Sequence, residues 1–414
     1  MQHAFAVVVF ALLCLASPVA YAQQECASLG GNIIYGVGGS AQTPLLGQIA
    51  SRLRDPQDDA AQLTIVYAQP GFCFGFSALD AQQTEAERYL SASPTGTNAL
   101  YWNQGNASPQ PCTLGAEVLA DFAVAPLGPS ACPEVGALLP EVEAFDGPVS
   151  TFTIIVPTDS TQRSISAEAL HALFKRGDAA QIAPWTDERY IVLRGGTSAV
   201  QLGIAKAVGF SDDFAHGYVA EDPLATVAAS GLHSASPGVD AVTVPNTEAT
   251  LGFASGENYE QNRLTVRTLA YQHLGQSCAY WPDSTESASD KLNVRVGRYA
   301  LWSTLRFYAA VGEDDEIVDP DVAKLVGFAT GALEAPPELP TVDIYVDNFS
   351  VPQCAMQVSR DENFGALSSS LPEEPCGCYF EKRATGESSC TECSDDDDCP
   401  VDAPICRFGF CEAQ

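Results

Sequence analysis

The sequence predicts an α/β protein of two lobes with a disulfide-rich C-terminal tail, and three observations carry that prediction. Short β-branched runs alternate with amphipathic stretches along the body, the pattern of repeated β-α units around a largely parallel sheet. Two of the strand-to-helix turns share one glycine-plus-hydroxyl design, one in each half of the body. Seven cysteines crowd between Cys376 and Cys411, in a segment with too few aliphatic residues to build a conventional core.

The elements follow in order. Residues 32–37 read as a strand ended by Gly38-Gly39-Ser40, after which Leu45, Leu46, Ile49 and Leu53 recur at helical spacing. Residues 63–67 form a second strand, 122–125 a third, and 151–156 a fourth that stops at Pro157. Ser166 and Glu168 open a helix that runs through Leu170, Leu173 and Phe174. Residues 190–193 form a further strand, stopped by Gly195-Gly196-Thr197-Ser198 before Leu202, Ile204, Ala205 and Val208 resume helical spacing. The implied boundaries are 26–150 for the first part of lobe I, 151–267 for lobe II, 268–345 for the return to lobe I, and 350–414 for the tail.

With 414 residues, 46% hydrophobic and 17% charged, the chain is too apolar for general disorder and long enough for two to three domains of about 150 residues. Asp+Glu 52 against Lys+Arg 20 gives a net charge of −32 with no basic stripe, which excludes nucleic acid and anionic membrane surfaces as partners. From Glu373 onward eleven acids face three bases, so most of the acidity belongs to the surface of the body. Ala4 to Ala16 is apolar over the length of a signal h-region and Ala20-Tyr21-Ala22 suits signal peptidase, so residues 1–22 are expected to be removed. Neither Cys14 nor Cys26 sits in a lipoprotein box. A secreted or periplasmic protein of the bacterial cell envelope follows, with no membrane insertion after cleavage. Thirteen cysteines remain once Cys14 is gone, so one is unpaired. Cys376-x-Cys378 and Cys390-x-x-Cys393 have zinc-like spacing, but the tail holds no histidine; disulfides are expected there, and no metal or other cofactor.

The chemistry centres on the two glycine turns, Gly38-Gly39-Ser40-Ala41-Gln42-Thr43 and Arg194-Gly195-Gly196-Thr197-Ser198. Glycines let the backbone approach a ligand, hydroxyls sit near the N-cap, and the first helical N–H groups have no internal partners, which makes each turn an anion site. Simple helix capping by Ser40, Thr197 and Ser198 is the plainer role for either turn alone. Arg194 adds a planar, permanently charged fork for oxyanion oxygens. No Gly-Lys-Ser/Thr ending, complete dinucleotide fingerprint, Gly-x-Ser-x-Gly elbow or His-Glu-x-x-His helix is present, so an enzyme is not expected.

These turns, the run Ile165-Ser166-Ala167-Glu168-Ala169-Leu170 leading to Pro184-Trp185-Thr186-Asp187, and residues 194–201 resemble the phosphate-type substrate-binding proteins of ABC importers. A divergent secreted bacterial branch of that family is more similar still, on Tyr280-Trp281-Pro282-Asp283-Ser284, Asn293-Val294-Arg295 and the cysteine-rich end Cys376-Gly377-Cys378-Tyr379-Phe380. The resemblance implies the type 2 periplasmic-binding fold, in which two lobes close on a dehydrated oxyanion. It places Gly39, Ser40 and Ala41 on the first lobe and Arg194, Thr197 and Ser198 on the second. Two departures stand out. Thr197-Ser198-Ala199-Val200-Gln201 lacks one glycine and one hydroxyl of the family pattern, and Ala125-Pro126 replaces Ser-Asp after the third strand, removing the carboxylate that would accept the proton of hydrogen phosphate. Ser130 is the nearby hydroxyl that would stand in.

The function expected is a secreted, monomeric solute-binding protein that captures a small phosphate-like oxyanion, with an ABC importer or a surface partner receiving it. The alternative is a ligand-less extracellular or cell-surface interaction protein on the same fold, with the acidic cysteine-rich tail as its contact module.

Overall fold

A computed structural model of the chain describes residues 24–54, 62–132, 135, 141–210 and 216–413. The expected leader, residues 1–22, lies outside them.

In the first lobe, β1 (Asn32–Gly38) and β2 (Leu63–Ala68) lie parallel, and the helices α1 (Thr43–Leu53) and α2 (Phe72–Leu79) follow directly from their carboxyl ends. All six positions of β2 are buried, which is why its sequence is apolar on both faces rather than alternating, Thr64 alone being polar and donating to the Gly30 carbonyl at 2.8 Å. Leu45, Leu46, Ile49 and Leu53 of α1 pack one face against Ile34, Leu63 and Ile65, each such side chain contributing roughly 1.5–3 kcal/mol. After the one-turn α3 (Glu85–Arg88), the hairpin β3 (Asn98–Asn103) and β4 (Asn106–Thr113) extends the sheet edge, and β5 (Phe122–Ala125) pairs parallel to β1 on its other side.

The long strand β6 (Val142–Pro157) then crosses between the lobes. Its residues 142–151 pair with β13 (Trp302–Ala310) of the first lobe, whereas Phe152 to Ile155 pair with β10 (Leu251–Ser255) of the second. The strand read from the sequence as 151–156 is therefore only its second half.

The second lobe runs β7 (Ser164–Ser166), α4 (Ala167–Arg176), β8 (Ile191–Leu193), α5 (Ala199–Ala207), β9 (Tyr218–Val219), α6 (Pro223–Ala228), β10, α7 (Gly256–Gln261), β11 (Val266–Thr268) and β12 (Ala270–Gln272). Ser166 caps α4 as its spacing predicts, its Oγ accepting from the Ala169 N–H at 3.2 Å. Among the described residues the main sheet has the order β4-β3-β2-β1-β5-β13-β6-β10-β8-β9, with β11 also on β6. The pairs β1/β2, β1/β5, β8/β10 and β8/β9 are parallel, and those made by β6 and β13 are antiparallel. One mixed sheet thus serves both lobes through β6, where the β-α repeats in the sequence point to a largely parallel one.

The chain remains with the second lobe past residue 268, because β11 pairs with β6 and β12 with β7; it rejoins the first at Trp302, after the short α8 (Leu292–Arg295). The helix α9 (Pro320–Thr330) then packs on β6 and β1 and α10 (Thr341–Asp347) on α1, with Val322, Leu325 and Ile344 in the same core as Leu45 and Ile49.

Disulfides do in the tail what apolar packing does in the body. Cys378–Cys390, Cys393–Cys406 and Cys399–Cys411 tie α11 (Gly377–Thr385) to the hairpin β16 (Ile405–Arg407) and β17 (Phe410–Glu412), and Cys354–Cys376 joins the tail to the end of the body. The small pair β14 (Val358–Ser359) and β15 (Ser368–Ser369) lies between those last two cysteines. Chain-entropy arguments give about 3 kcal/mol for each 12- to 13-residue tail loop and about 4.5 kcal/mol for the 86-residue loop closed by Cys26–Cys112. Cys73–Cys132 completes the body, and Cys278 is free and exposed. No helix among the described residues is long and apolar enough to cross a membrane.

Candidate functional site

Strand exits from both lobes meet at one cleft of about 280 Å³. This is where an open α/β sheet places a ligand, beyond the carboxyl ends of its strands.

From the first lobe, β1 delivers Gly39, Ser40, Ala41 and Gln42, with a 3-10 turn (Ser40–Gln42) leading into α1. Glycine is required at position 38: a Cβ there would collide with the Val124 carbonyl oxygen and the Tyr67 hydroxyl. That hydroxyl donates to the Gly39 carbonyl at 3.0 Å and so fixes the turn. β2 delivers Gln69-Pro70-Gly71-Phe72 into α2, with Gly71 at φ +112° and its N–H bonded to the Gly38 carbonyl at 3.1 Å. β5 contributes Pro126.

From the second lobe, β8 delivers Arg194, Gly195, Thr197 and Ser198 into α5. β9 leads to Ala220 and Glu221, and β10 ends at Ser255. Ser150 and Phe152 of β6 sit where the lobes join. The walls are close, for a Cβ built on Gly71 would lie 3.8 Å from Thr197 Oγ1.

The helix starts differ in a way that bears on ligand binding. Ser166, Asp222, Ser255 and Asp319 cap α4, α6, α7 and α9 through their side chains. No side chain caps α2 or α5, whose first residues line the cleft, nor the Ser40–Gln42 turn that lines it just ahead of α1. Their leading N–H groups keep their hydrogen-bonding capacity and partial positive charge on the cleft side.

Arg194 is largely buried, and its guanidinium is held in place: Nε donates to Ser198 Oγ at 3.0 Å and Nη1 to the Phe253 carbonyl at 3.4 Å. Its backbone N–H donates to Gln201 Oε1 at 3.2 Å. Burial lowers its pKa from the usual arginine value while Asp222 opposes the shift, and the group stays cationic. Since Ser198 Oγ accepts from Arg194, its own hydrogen is available to the cleft.

Glu257 lies behind the wall, fully buried. Its Oε1 accepts from Ser150 Oγ and from Ser350 Oγ at 3.3 Å, while Oε2 has no partner. Burial outweighs these hydroxyl contacts and raises its pKa above the ordinary glutamate value.

Gly39, Ser40, Ala41, Arg194, Thr197 and Ser198, all singled out from sequence, line this one cleft. Ser130 does not. It is exposed on the 3-10 turn Pro129–Ala131, because Asn363 Oδ1 holds the Gly128 N–H at 2.9 Å and the chain turns away from the cleft beyond Pro126. Pro126 does reach the wall, bringing no carboxylate. Sequence reasoning missed Gln42, the 69–72 segment, Ser150, Glu221 and Ser255. Gln69-Pro70-Gly71 was findable as a third glycine turn after a strand, and Ser255-Gly256 as a fourth junction. Ser150 and Phe152 carry no local signal, since they lie inside a strand.

No family model and no curated protein matches the chain. Solved structures similar to it include an ABC-type phosphate transport receptor from Vibrio cholerae, at 14% identity over 77% of this chain and 99% of that one, TM-score 0.47. PstS from Borrelia burgdorferi is 10% identical over 78% and 98%, TM-score 0.39. The reduced OxyR regulatory domain from Pseudomonas aeruginosa is 9% identical over 72% and 96%, TM-score 0.35.

Proposed function

We propose that this protein is an exported solute-binding protein that captures a small phosphate-like oxyanion in the cleft between its lobes, without making or breaking a bond. The carrying observation is that the uncapped Ser40–Gln42 turn ahead of α1 and the uncapped starts of α2 and α5, drawn from both lobes, open on a single cleft that also holds a largely buried arginine. Neutral amide dipoles and one fixed cation suit a desolvated anion, because they need no reorganisation when it arrives. The net charge of −32 does not oppose this, since exposed charges are screened beyond about 8 Å at physiological salt. Affinity for the closed arrangement would hold it against hinge opening about β6 once the anion is bound. Six disulfides support export to the periplasm or beyond, and the resemblance in sequence points to an ABC importer as the receiving partner.

A thermal-shift screen of phosphate, arsenate, sulfate, molybdate and small carboxylates tests the reading. At least one anion should raise the Tm of the wild type, and Arg194→Ala should lose that shift. A full shift in the variant, or none in the wild type with any anion, counts against capture.

One observation favours the second reading, an interaction protein that uses its tail. A groove of about 770 Å³ runs between the α9–α10 connection and the tail, where the stacked Tyr379 and Phe408 rings lie 5.4 Å apart and Phe408 is 47% exposed. Under that reading Phe408→Ser abolishes partner binding and leaves any anion response intact.

A further inference from the structure

Residues 360–364 touch both lobes where the chain crosses between them. They lie in a loop closed at its base by Cys354–Cys376 and narrowed by the β14/β15 pair. Toward the first lobe, the Asn363 amide grips the turn after β5 with both ends: Oδ1 accepts from the Gly128 N–H at 2.9 Å and Nδ2 donates to the Pro126 carbonyl at 3.3 Å. Pro126 is the residue of that turn in the cleft wall.

Toward the second lobe, the Phe364 ring packs 6.0 Å from that of Phe152, itself a cleft residue at the crossover of β6. Both rings use space that glycine leaves on α5. A Cβ at position 203 would meet Phe152 Cε2 at 2.7 Å and Phe364 Cζ at 3.2 Å. Arg360 anchors the segment at the second crossing, its guanidinium 3.7 Å from the centroid of the Trp302 ring, with Nη1 donating to the Ala300 and Trp302 carbonyls at 3.4 Å each. Phe364 adopts φ +62°, a conformation that a bulky residue rarely takes and that tertiary contacts must maintain.

We propose that residues 360–364 form a hinge brace, in which Asn363 and Phe364 are positioning residues that hold Pro126 and Phe152 from opposite lobes and keep the cleft closed before any ligand enters. The brace stands on these contacts alone; its consequence for ligand rests on the capture reading above. A cleft closed in advance avoids the population penalty paid by a site that is only fractionally competent, and exchange of an anion then waits on release of the brace.

The test uses the full mature chain in anion-free buffer. Phe364→Asn removes the ring while keeping a residue that tolerates positive φ, and Asn363→Ser trims the amide on a half-exposed position. Small-angle scattering should show a larger radius of gyration for the double variant than for the wild type. Amide hydrogens around residues 150–152 should exchange about tenfold faster, the loss expected from two hydrogen bonds and one ring contact. Each single variant should move part of the way, which keeps the test decisive if the double variant folds poorly. Unchanged scattering and exchange at 150–152, with faster exchange confined to 357–370, would overturn the brace and show a loop that merely rests on the hinge. Neither arm contains an anion, so failure of the capture reading leaves this result standing. Failure of the brace leaves the Arg194-dependent thermal shift untouched.

Discussion

The two walls of the cleft are built from the same strand-turn-helix unit but carry different chemistry. The first-lobe wall is uncharged: glycine, serine and glutamine residues, Pro126, and the amides of the Ser40–Gln42 turn and of the start of α2. The second-lobe wall adds a cation fixed by Ser198 and Phe253, with the carboxylate of Glu221 at its exposed edge. The contrast assigns charge recognition to the second lobe, and shape and amide donation to the first. A protein with an excess of 32 negative charges thereby keeps its one cleft arginine where solvent screening is weakest.

Breaking the charged wall should have the largest effect. Arg194→Ala removes charge-assisted hydrogen bonds, and anion affinity by titration calorimetry should fall about 100-fold. A loss of twofold or less would place affinity in the amides and erase the distinction between the walls. Ser198→Ala removes a donor and loosens Arg194, so about a five- to tenfold loss is expected by the same measurement. If Ser198→Ala costs more than Arg194→Ala, the hydroxyl rather than the cation carries recognition.

Glu257 tests the neutrality of the region behind the walls. Its folded-state pKa is raised above the ordinary 4.5, so the folded protein holds this proton more tightly than the unfolded chain does. The associated stability is complete below about pH 4.5 and is lost as pH rises through the folded value. Glu257→Gln should therefore be more stable than the wild type at pH 8, with the gap closing toward pH 4.5. Parallel Tm profiles for the two proteins would mean that Glu257 does not titrate differently on folding.

The smallest change is expected at the rim. Glu221→Gln removes an exposed like charge, and anion affinity should rise about two- to threefold at low salt, with the gain disappearing at high salt. A loss of affinity instead would mark Glu221 as a ligand contact.

The cleft was legible from sequence to the extent that its parts are local. Gly38-Gly39-Ser40 and Arg194 to Ser198 announce themselves because a strand must end, a backbone must turn and a helix must start within a few residues. Ser150 and Phe152 are set by pairing partners more than 100 residues away, Ser303 and Ser255, and nothing in residues 148–153 betrays that the strand changes lobes there. Ser130 failed for a related reason: Asn363, 235 residues downstream of Gly128, decides which way that turn goes.

The cysteine count gave the number of free thiols, while the pairing depended on tertiary placement. Two motifs distant in sequence also explain each other only in three dimensions. Arg295 donates through Nε to the Ala355 carbonyl at 3.1 Å and through Nη2 to the Gly377 carbonyl at 3.0 Å, and its guanidinium lies 5.2 Å from the centre of the Phe380 ring. Asn293-Val294-Arg295 and the cysteine-rich end thus meet as a docking point for the tail. Asp283 of the Trp281-Pro282-Asp283 run braces the same region through a buried ion pair with Lys291 at 2.9 Å.

The most direct test of the capture reading is a crystal structure of the mature protein soaked with arsenate, with the anion located by its anomalous signal. One arsenic peak is expected in the cleft, within hydrogen-bonding reach of the Arg194 guanidinium and of main-chain N–H groups at both 40–42 and 199–201. An empty cleft at saturating arsenate, or an anion held by one lobe with Arg194 uninvolved, would contradict it.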